Sequence, residues 1–180
     1  MLRTLEDHTQ VTKDGPMDKI EHLRHRGRSY FTGAIMQTFL PYSSFEHSAR
    51  VLDTKRLGKQ RVEAMQILNT LLGRKEGWKN HPAVKMWRGC EFTLLQYLGA
   101  TCDEWKRRGF KNTKMDAHIT DLWLALEGTA PATDNEVSWL GNRKFHESHK
   151  SNLLRKNPSH YSQFGWEVSD DLPYIWPEGK

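Results

Sequence analysis

The sequence predicts an all-α fold, a helical bundle built as one domain, and three observations carry that reading. Apolar residues recur at a spacing of three and four over several long segments, as one face of a helix requires. Nowhere does the chain show the strict alternation of a half-buried strand or an Asn-Gly hairpin turn. A length of 180 residues suits a single core that needs no metal or disulfide to hold it.

Residues 1–35 alternate charges of both signs with little apolar periodicity and carry Gly15-Pro16 and Gly27, so a poorly ordered extension is expected there. The domain proper is expected over 36–180. It starts at MQTFLPYSSF, a short apolar stretch closed by Pro41 and by Ser43-Ser44, a pair suited to cap a helix. One long helix is expected over 45–72, with Val51, Leu57, Gly58, Val62, Met65, Leu68 and Leu72 on one arc and Lys55, Arg56, Lys59 and Glu63 on the other. A second runs over 80–109, opened by Asn80-His81-Pro82, with proline in its first turn and a basic last turn. A third covers 114–126, where Met115, Ile119, Leu122, Trp123 and Leu126 share a face and Gly128 with Pro131 stops the helix. A fourth covers 142–156 and leads into an aromatic, proline-broken tail.

The chain is 37% hydrophobic and 27% charged, with seven Trp, seven Phe and five Tyr. That is too aromatic for a disordered chain and too polar for a membrane protein. No apolar run reaches bilayer length and the N-terminus lacks a secretory core, so a soluble cytoplasmic monomer is expected. Cys90 and Cys102 read as reduced thiols inside one helix. The formal charge of +5 is concentrated in three clusters: Arg50 to Arg61, Lys106 to Lys111 and Lys150 to Lys156. Basic clusters beside aromatics form a plausible phosphate footprint.

LDTKRLGKQRVEAM (52–65) resembles the N-terminal helix of the pyrimidine-dimer DNA glycosylase family, in which an Leu-Asp start precedes a leucine and then the catalytic glutamate. NHPAVKMWRG (80–89), with the aliphatic helix ending KRRGF, is a second point of resemblance. FHESHKSNLLRKNPSHYSQFGW is a third, similar to a branch of bacterial and phage members. On this resemblance Leu57 is the leucine and Glu63 the glutamate, and the fold is the compact helical bundle of that family.

The resemblance implies an enzyme without metal or other cofactor that acts on double-stranded DNA. An α-amine forms an imine at the sugar C1′, and a carboxylate manages protons during base release and strand scission. An α-amine has a pKa well below lysine's, so more of it is neutral and nucleophilic at pH 7. The glutamate stabilises the opened sugar and shuttles the proton lost in β-elimination. Extrusion of a nucleotide exposes the C1′ bond.

The family's N-terminal nucleophile would correspond to the start MQT, here at Met36, whose nitrogen is an amide in the full chain. Three resolutions stand open. Translation begins at Met36, since the codons for Thr32-Gly33-Ala34-Ile35 allow a purine-rich ribosome-binding sequence; or a lysine such as Lys55 or Lys59 substitutes; or lyase chemistry has been lost.

Each candidate residue has a plainer reading. Glu63, four residues after Lys59, would ordinarily be one half of a solvated ion pair. Arg61 projects into the apolar arc, either to pair with a carboxylate or because the helix phase slips. Arg50, Arg56 and Lys59 form either a solvated face or a phosphate contact. His81 is a helix cap or a pocket histidine, and Arg88 joins the nucleic-acid set. His146 and His149 have the spacing of a metal pair but no third ligand at a diagnostic distance, so with Ser151, Asn152, Arg155 and Lys156 they are assigned to nucleic-acid contacts. Trp87, Trp105 and Trp123 read as core; Trp166, Tyr174 and Trp176 either stack on bases or cover the core. The rival functions are a non-enzymatic DNA- or RNA-binding protein and, lower, a metal-dependent nuclease using His146 and His149.

Overall fold

The computed structural model describes residues 36–127 and 137–178. The expected extension over 1–35 and the helix stop at Gly128 and Pro131 lie outside the described residues. Within them the chain forms seven α-helices and no strand: α1 Phe45–Val51, α2 Thr54–Leu71, α3 Pro82–Trp87, α4 Glu91–Arg107, α5 Thr113–Glu127, α6 Arg143–Lys156 and α7 Pro158–Tyr161. A short 3-10 turn, Ser162–Phe164, follows α7.

The first two helices expected from periodicity are each broken once. Leu52 turns extended at the end of α1, and Asp53 restarts the helix by accepting from the Arg56 backbone N–H. A residue that caps so well ends one helix as readily as it begins the next. The second break falls at Gly89, whose φ of 74° is one that side-chain-bearing residues rarely adopt. Cys90 therefore stands at the start of α4 rather than inside a longer helix, and both cysteines are buried and form no disulfide.

The phase of α2 also differs from the periodicity. Its buried face is Leu57, Gln60, Glu63, Ala64, Ile67, Leu68 and Thr70, while Val62 is exposed. Two polar residues, Gln60 and Glu63, thus face inward where a sequence pattern places them outside. Gly58 permits the close crossing of α2 and α4: a Cβ there would stand 3.1 Å from the Trp105 ring. Trp87 is core, Trp105 is half-buried, and Trp123 is 47% exposed, a correction to its assignment as core.

Helix α4 is the central element, packed against α1, α2 and α5. Leu94, Leu98, Leu68, Ile67, Met86 and Trp87 are fully buried in the main cluster, and each such side chain contributes roughly 2 kcal/mol. A second cluster joins Phe39, Leu52, Leu57, Leu153 and Tyr161, with Trp166 and Tyr174 of the tail packed on it. The tail is held by Trp166 donating to the Tyr42 hydroxyl at 2.8 Å and by Tyr174 donating to the Thr38 carbonyl at 2.6 Å.

Through the middle of these helices passes the extended segment 36–40, every residue of which is buried. Buried peptide groups with no helix or sheet of their own need partners, and side chains supply them. Phe39 N–H donates to Gln60 Oε1 at 2.8 Å, and Gln37 C=O accepts from Gln60 Nε2 at 2.8 Å. Leu40 is gripped from both sides, its N–H donating to His149 Nδ1 at 2.9 Å and its C=O meeting His146 Nδ1 at 2.8 Å.

Candidate active site

The site is built where segment 36–40 meets the inward polar face of α2. Glu63 is 6% exposed. Its Oε2 accepts from Gln60 Nε2 at 3.1 Å and faces the Gln37 backbone N–H at 3.5 Å. Its Oε1 pairs with Lys59 Nζ at 3.2 Å, and the Lys59 side chain keeps about half its surface in solvent. Burial raises the Glu63 carboxyl above its ordinary value, against the opposing pull of Lys59, the Gln37 N–H and Lys156. A carboxyl so placed exchanges protons closer to neutral pH than a solvated one.

Gln60 fixes this geometry from a fully buried position. Its Oε1 also accepts from the Tyr97 hydroxyl at 2.6 Å, so all the polar atoms of its amide are engaged and its orientation is determined. Tyr97 and Tyr174 are both pushed up by burial, so their hydroxyls stay protonated at any working pH.

Two cations, Lys59 and Lys156, act on the carboxylate. Burial, then the charges of Arg56, Lys59 and Arg155, hold the Lys156 ammonium below its ordinary value, with Glu63 opposing. Lys59 from α2 and Lys156 from the last turn of α6 thus both act on Glu63. Arg56 is not a free phosphate ligand: its guanidinium is paired with Asp53 and lies 5.7 Å from the Tyr161 ring centre. Asp53 in turn accepts from the Tyr161 hydroxyl at 3.0 Å.

The other sequence-predicted residues divide between surface and interior. His149 is fully buried and His146 nearly so; their rings clamp Leu40, and His146 Nε2 accepts from Gly141 N–H at 2.9 Å. Neither imidazole is placed to meet a nucleic-acid backbone, because their nitrogens are turned to the protein's own interior. Burial lowers both below the usual imidazole value, which keeps the rings neutral. No group of three His, Cys, Asp or Glu residues suited to a metal occurs among the described residues. Ser151 is buried and accepts from Leu172 N–H at 3.0 Å, and Arg155 donates to the Leu172 carbonyl at 2.9 Å, so both tie down the tail. Asn152 is half-buried, with its Oδ1 enclosed.

His81 caps α3, its Nδ1 accepting from Ala83 N–H at 3.1 Å, and burial lowers its pKa. Arg88 is exposed and donates to the Lys79 carbonyl at 3.3 Å. Arg50 is exposed beside a cavity of about 460 Å³ shared with Glu46, Asp103, Glu104 and Arg107, so neighbouring acids offset its field. Arg61 finds no carboxylate: it lies 4.0 Å from the Trp105 ring centre and donates to Asn112. Gln60 and Tyr97 were not singled out from the sequence. A glutamine three residues before a candidate glutamate reads as a side chain turned to water, and only the reversed helix phase would have revealed it.

A family model described as pyrimidine dimer DNA glycosylase matches residues 36–118. The match includes segment 36–40, Lys59, Gln60, Glu63 and α1 to α4, and stops before α6. Comparison with curated proteins and with solved structures gives no match. No helix of the described residues is long and apolar enough to cross a membrane.

Proposed function

We propose, from the premise that this chain belongs to the pyrimidine dimer DNA glycosylase family, that it releases a base from duplex DNA through an amine–sugar imine and cleaves the resulting abasic site. The observation that carries the proposal is the buried carboxyl of Glu63 lying 3.5 Å from the Gln37 N–H, one residue along from the Met36 nitrogen. Nucleophile and proton-handling group act on neighbouring atoms of one sugar, so they have to converge.

In the proposed sequence a neutral amine attacks C1′, and the glycosidic electron pair leaves with the base, which takes up a proton. The C1′–O4′ bond then opens, O4′ taking up a proton as the nitrogen lone pair forms a protonated imine, and that imine makes the C2′ hydrogens acidic. Glu63, as carboxylate, accepts one of them, and the C3′–O bond breaks to expel the 3′ phosphate. Burial of Glu63 suits it to both donate and accept in this scheme. Lys59 and Lys156 supply positive charge for the DNA backbone beside the sugar.

Borohydride trapping on an abasic-site duplex tests the reading. A chain beginning at Met36 is expected to become covalently linked to the DNA, and Glu63→Gln to bind DNA but show strongly reduced turnover. A trapped yield of zero for every form of the chain, with salt-sensitive binding retained, would leave a DNA-binding protein without lyase chemistry.

A further inference from the structure

We propose that the loop over residues 73–81 carries a second DNA contact, in which the indole of Trp78 stacks on one unpaired nucleobase. The inference rests on the DNA-directed reading above and adds a residue and a ligand class to it.

Trp78 is 56% exposed, the most exposed of the seven tryptophans. It is also the one non-glycine residue with positive φ among the described residues, at 71°. A bulky side chain in that conformation is disfavoured, and Gly77 stands beside it, one position away from where glycine would relieve the strain. An indole with so much surface in water does not repay that strain by packing into a core.

The mount is rigid. His81 N–H donates to the Trp78 carbonyl at 2.8 Å, and His81 caps α3, whose Ala83, Val84, Met86 and Trp87 are all buried. The His81 ring meets the indole at 5.3 Å in an edge arrangement, which supports the ring while leaving aromatic surface open. Fixing the indole in advance reduces the ordering cost of a stacking partner.

The surroundings are cationic rather than apolar. Lys75, Lys79, Lys85 and Arg88 are exposed around this loop. Lys79 is paired with Glu76, whereas Lys75, Lys85 and Arg88 make no ion pair among the described residues. One aromatic face flanked by basic side chains is the arrangement that holds a base and its neighbouring phosphates. A protein partner would call for a wider apolar patch.

Continuity with Glu63 gives the site its direction. The His81 ring meets Trp176 at 6.0 Å, Trp176 meets Tyr174 at 4.4 Å, and the Tyr174 hydroxyl donates to Thr38, the neighbour of Gln37. This run of contacts ties the loop that carries Trp78 to the segment that faces Glu63.

Fluorescence anisotropy on the full chain tests this, using a duplex with one unpaired thymidine and the same duplex fully paired. Wild type is expected to prefer the unpaired site about tenfold, the scale of one base–aromatic stack. Trp78→Gly suits the positive φ, so its melting temperature should be no lower than wild type; affinity for the paired duplex should hold and the preference should vanish. Trp78→Phe should keep part of the preference. A Trp78→Gly protein that retains the preference, or that melts well below wild type, overturns the proposal. Wild type binding the paired duplex with no preference overturns Trp78 alone, while binding of neither duplex overturns the DNA reading and this inference with it.

Discussion

The Gln37 backbone N–H and the Glu63 carboxylate are 26 residues apart in sequence and 3.5 Å apart in space. Burial raises the Glu63 carboxyl above 4.5. Between an unfolded value near 4.5 and the higher folded one, the native chain holds more protons than the unfolded chain, so this group makes stability fall as pH rises through that window. Below the window both states are protonated, so the contribution is at its full value and stability no longer changes with pH through this group. Glu63→Gln, neutral throughout, should gain on wild type as pH rises from 4.5 toward neutrality. Urea midpoints at pH 4, 5, 6 and 7 check it; wild type gaining instead would mean that the Lys59 pairing outweighs burial.

Gln60→Leu removes an amide that satisfies Phe39 N–H, Gln37 C=O, the Tyr97 hydroxyl and Glu63. Leucine fits the volume but orphans buried partners, so a loss of about 3–5 kcal/mol is expected in chemical denaturation. A loss below about 1 kcal/mol would show that segment 36–40 reorganises at little cost.

His146 and His149 make the opposite pH contribution to Glu63. Both imidazoles are held below 6.5 in the folded chain, so below 6.5 the unfolded chain binds more protons and stability falls as pH drops. His149→Asn keeps an acceptor for Leu40 N–H without titrating in this range. It should retain most of the stability at pH 7.5 and flatten the decline between pH 6.5 and 5. An unchanged acid limb would place the sensitivity elsewhere.

The helical class, the cap at Ser44 and the approximate extents of α5 and α6 were legible because each depends on local chemistry: apolar spacing or a capping oxygen. Asp53 was read as part of a motif rather than as a break, because a capping aspartate inside a periodic run leaves the apolar arc nearly undisturbed. Glu63 was singled out only by family resemblance. Periodicity put it on the solvent side, since Val62 beside it looks like core; what buries Glu63 and Gln60 is the segment 36–40, a long-range partner that no window on α2 contains. The burial of His146 and His149 was not legible for the same reason, as their partner Leu40 lies more than 100 residues away.

DNA affinity should separate Lys59 from Arg56. Lys59→Ala removes a half-exposed cation and should flatten the dependence of log affinity on log salt by about one unit. Arg56→Ala breaks the pairing with Asp53 and the contact with Tyr161. It should lower stability by about 1–2 kcal/mol while the salt slope holds. Equal slope changes for both variants would show that Arg56 leaves Asp53 to meet phosphate.

The last prediction concerns which amine forms the imine. In the full chain the Met36 nitrogen is an amide and has no lone pair to give, so another amine, the α-amine of Met1 or a lysine, has to serve if the full chain reacts. Lys59 is engaged with Glu63. Lys156 is the lysine near Glu63 whose ammonium is held down, by burial first and then by Arg56, Lys59 and Arg155, which is how a lysine becomes nucleophilic near neutral pH. The chain beginning at Met36 is therefore expected to trap on abasic DNA through its α-amine, with Lys156→Ala leaving that yield nearly unchanged. Any trapping by the full chain should be slower, should rise with pH as the lysine deprotonates, and should disappear in Lys156→Ala. Peptide mapping of the reduced adduct identifies the residue directly. An adduct on the full chain that survives Lys156→Ala and maps to Lys59 or Lys55 would transfer the nucleophile to α2, and equal yields at both chain lengths would remove the Met36 amine from the mechanism.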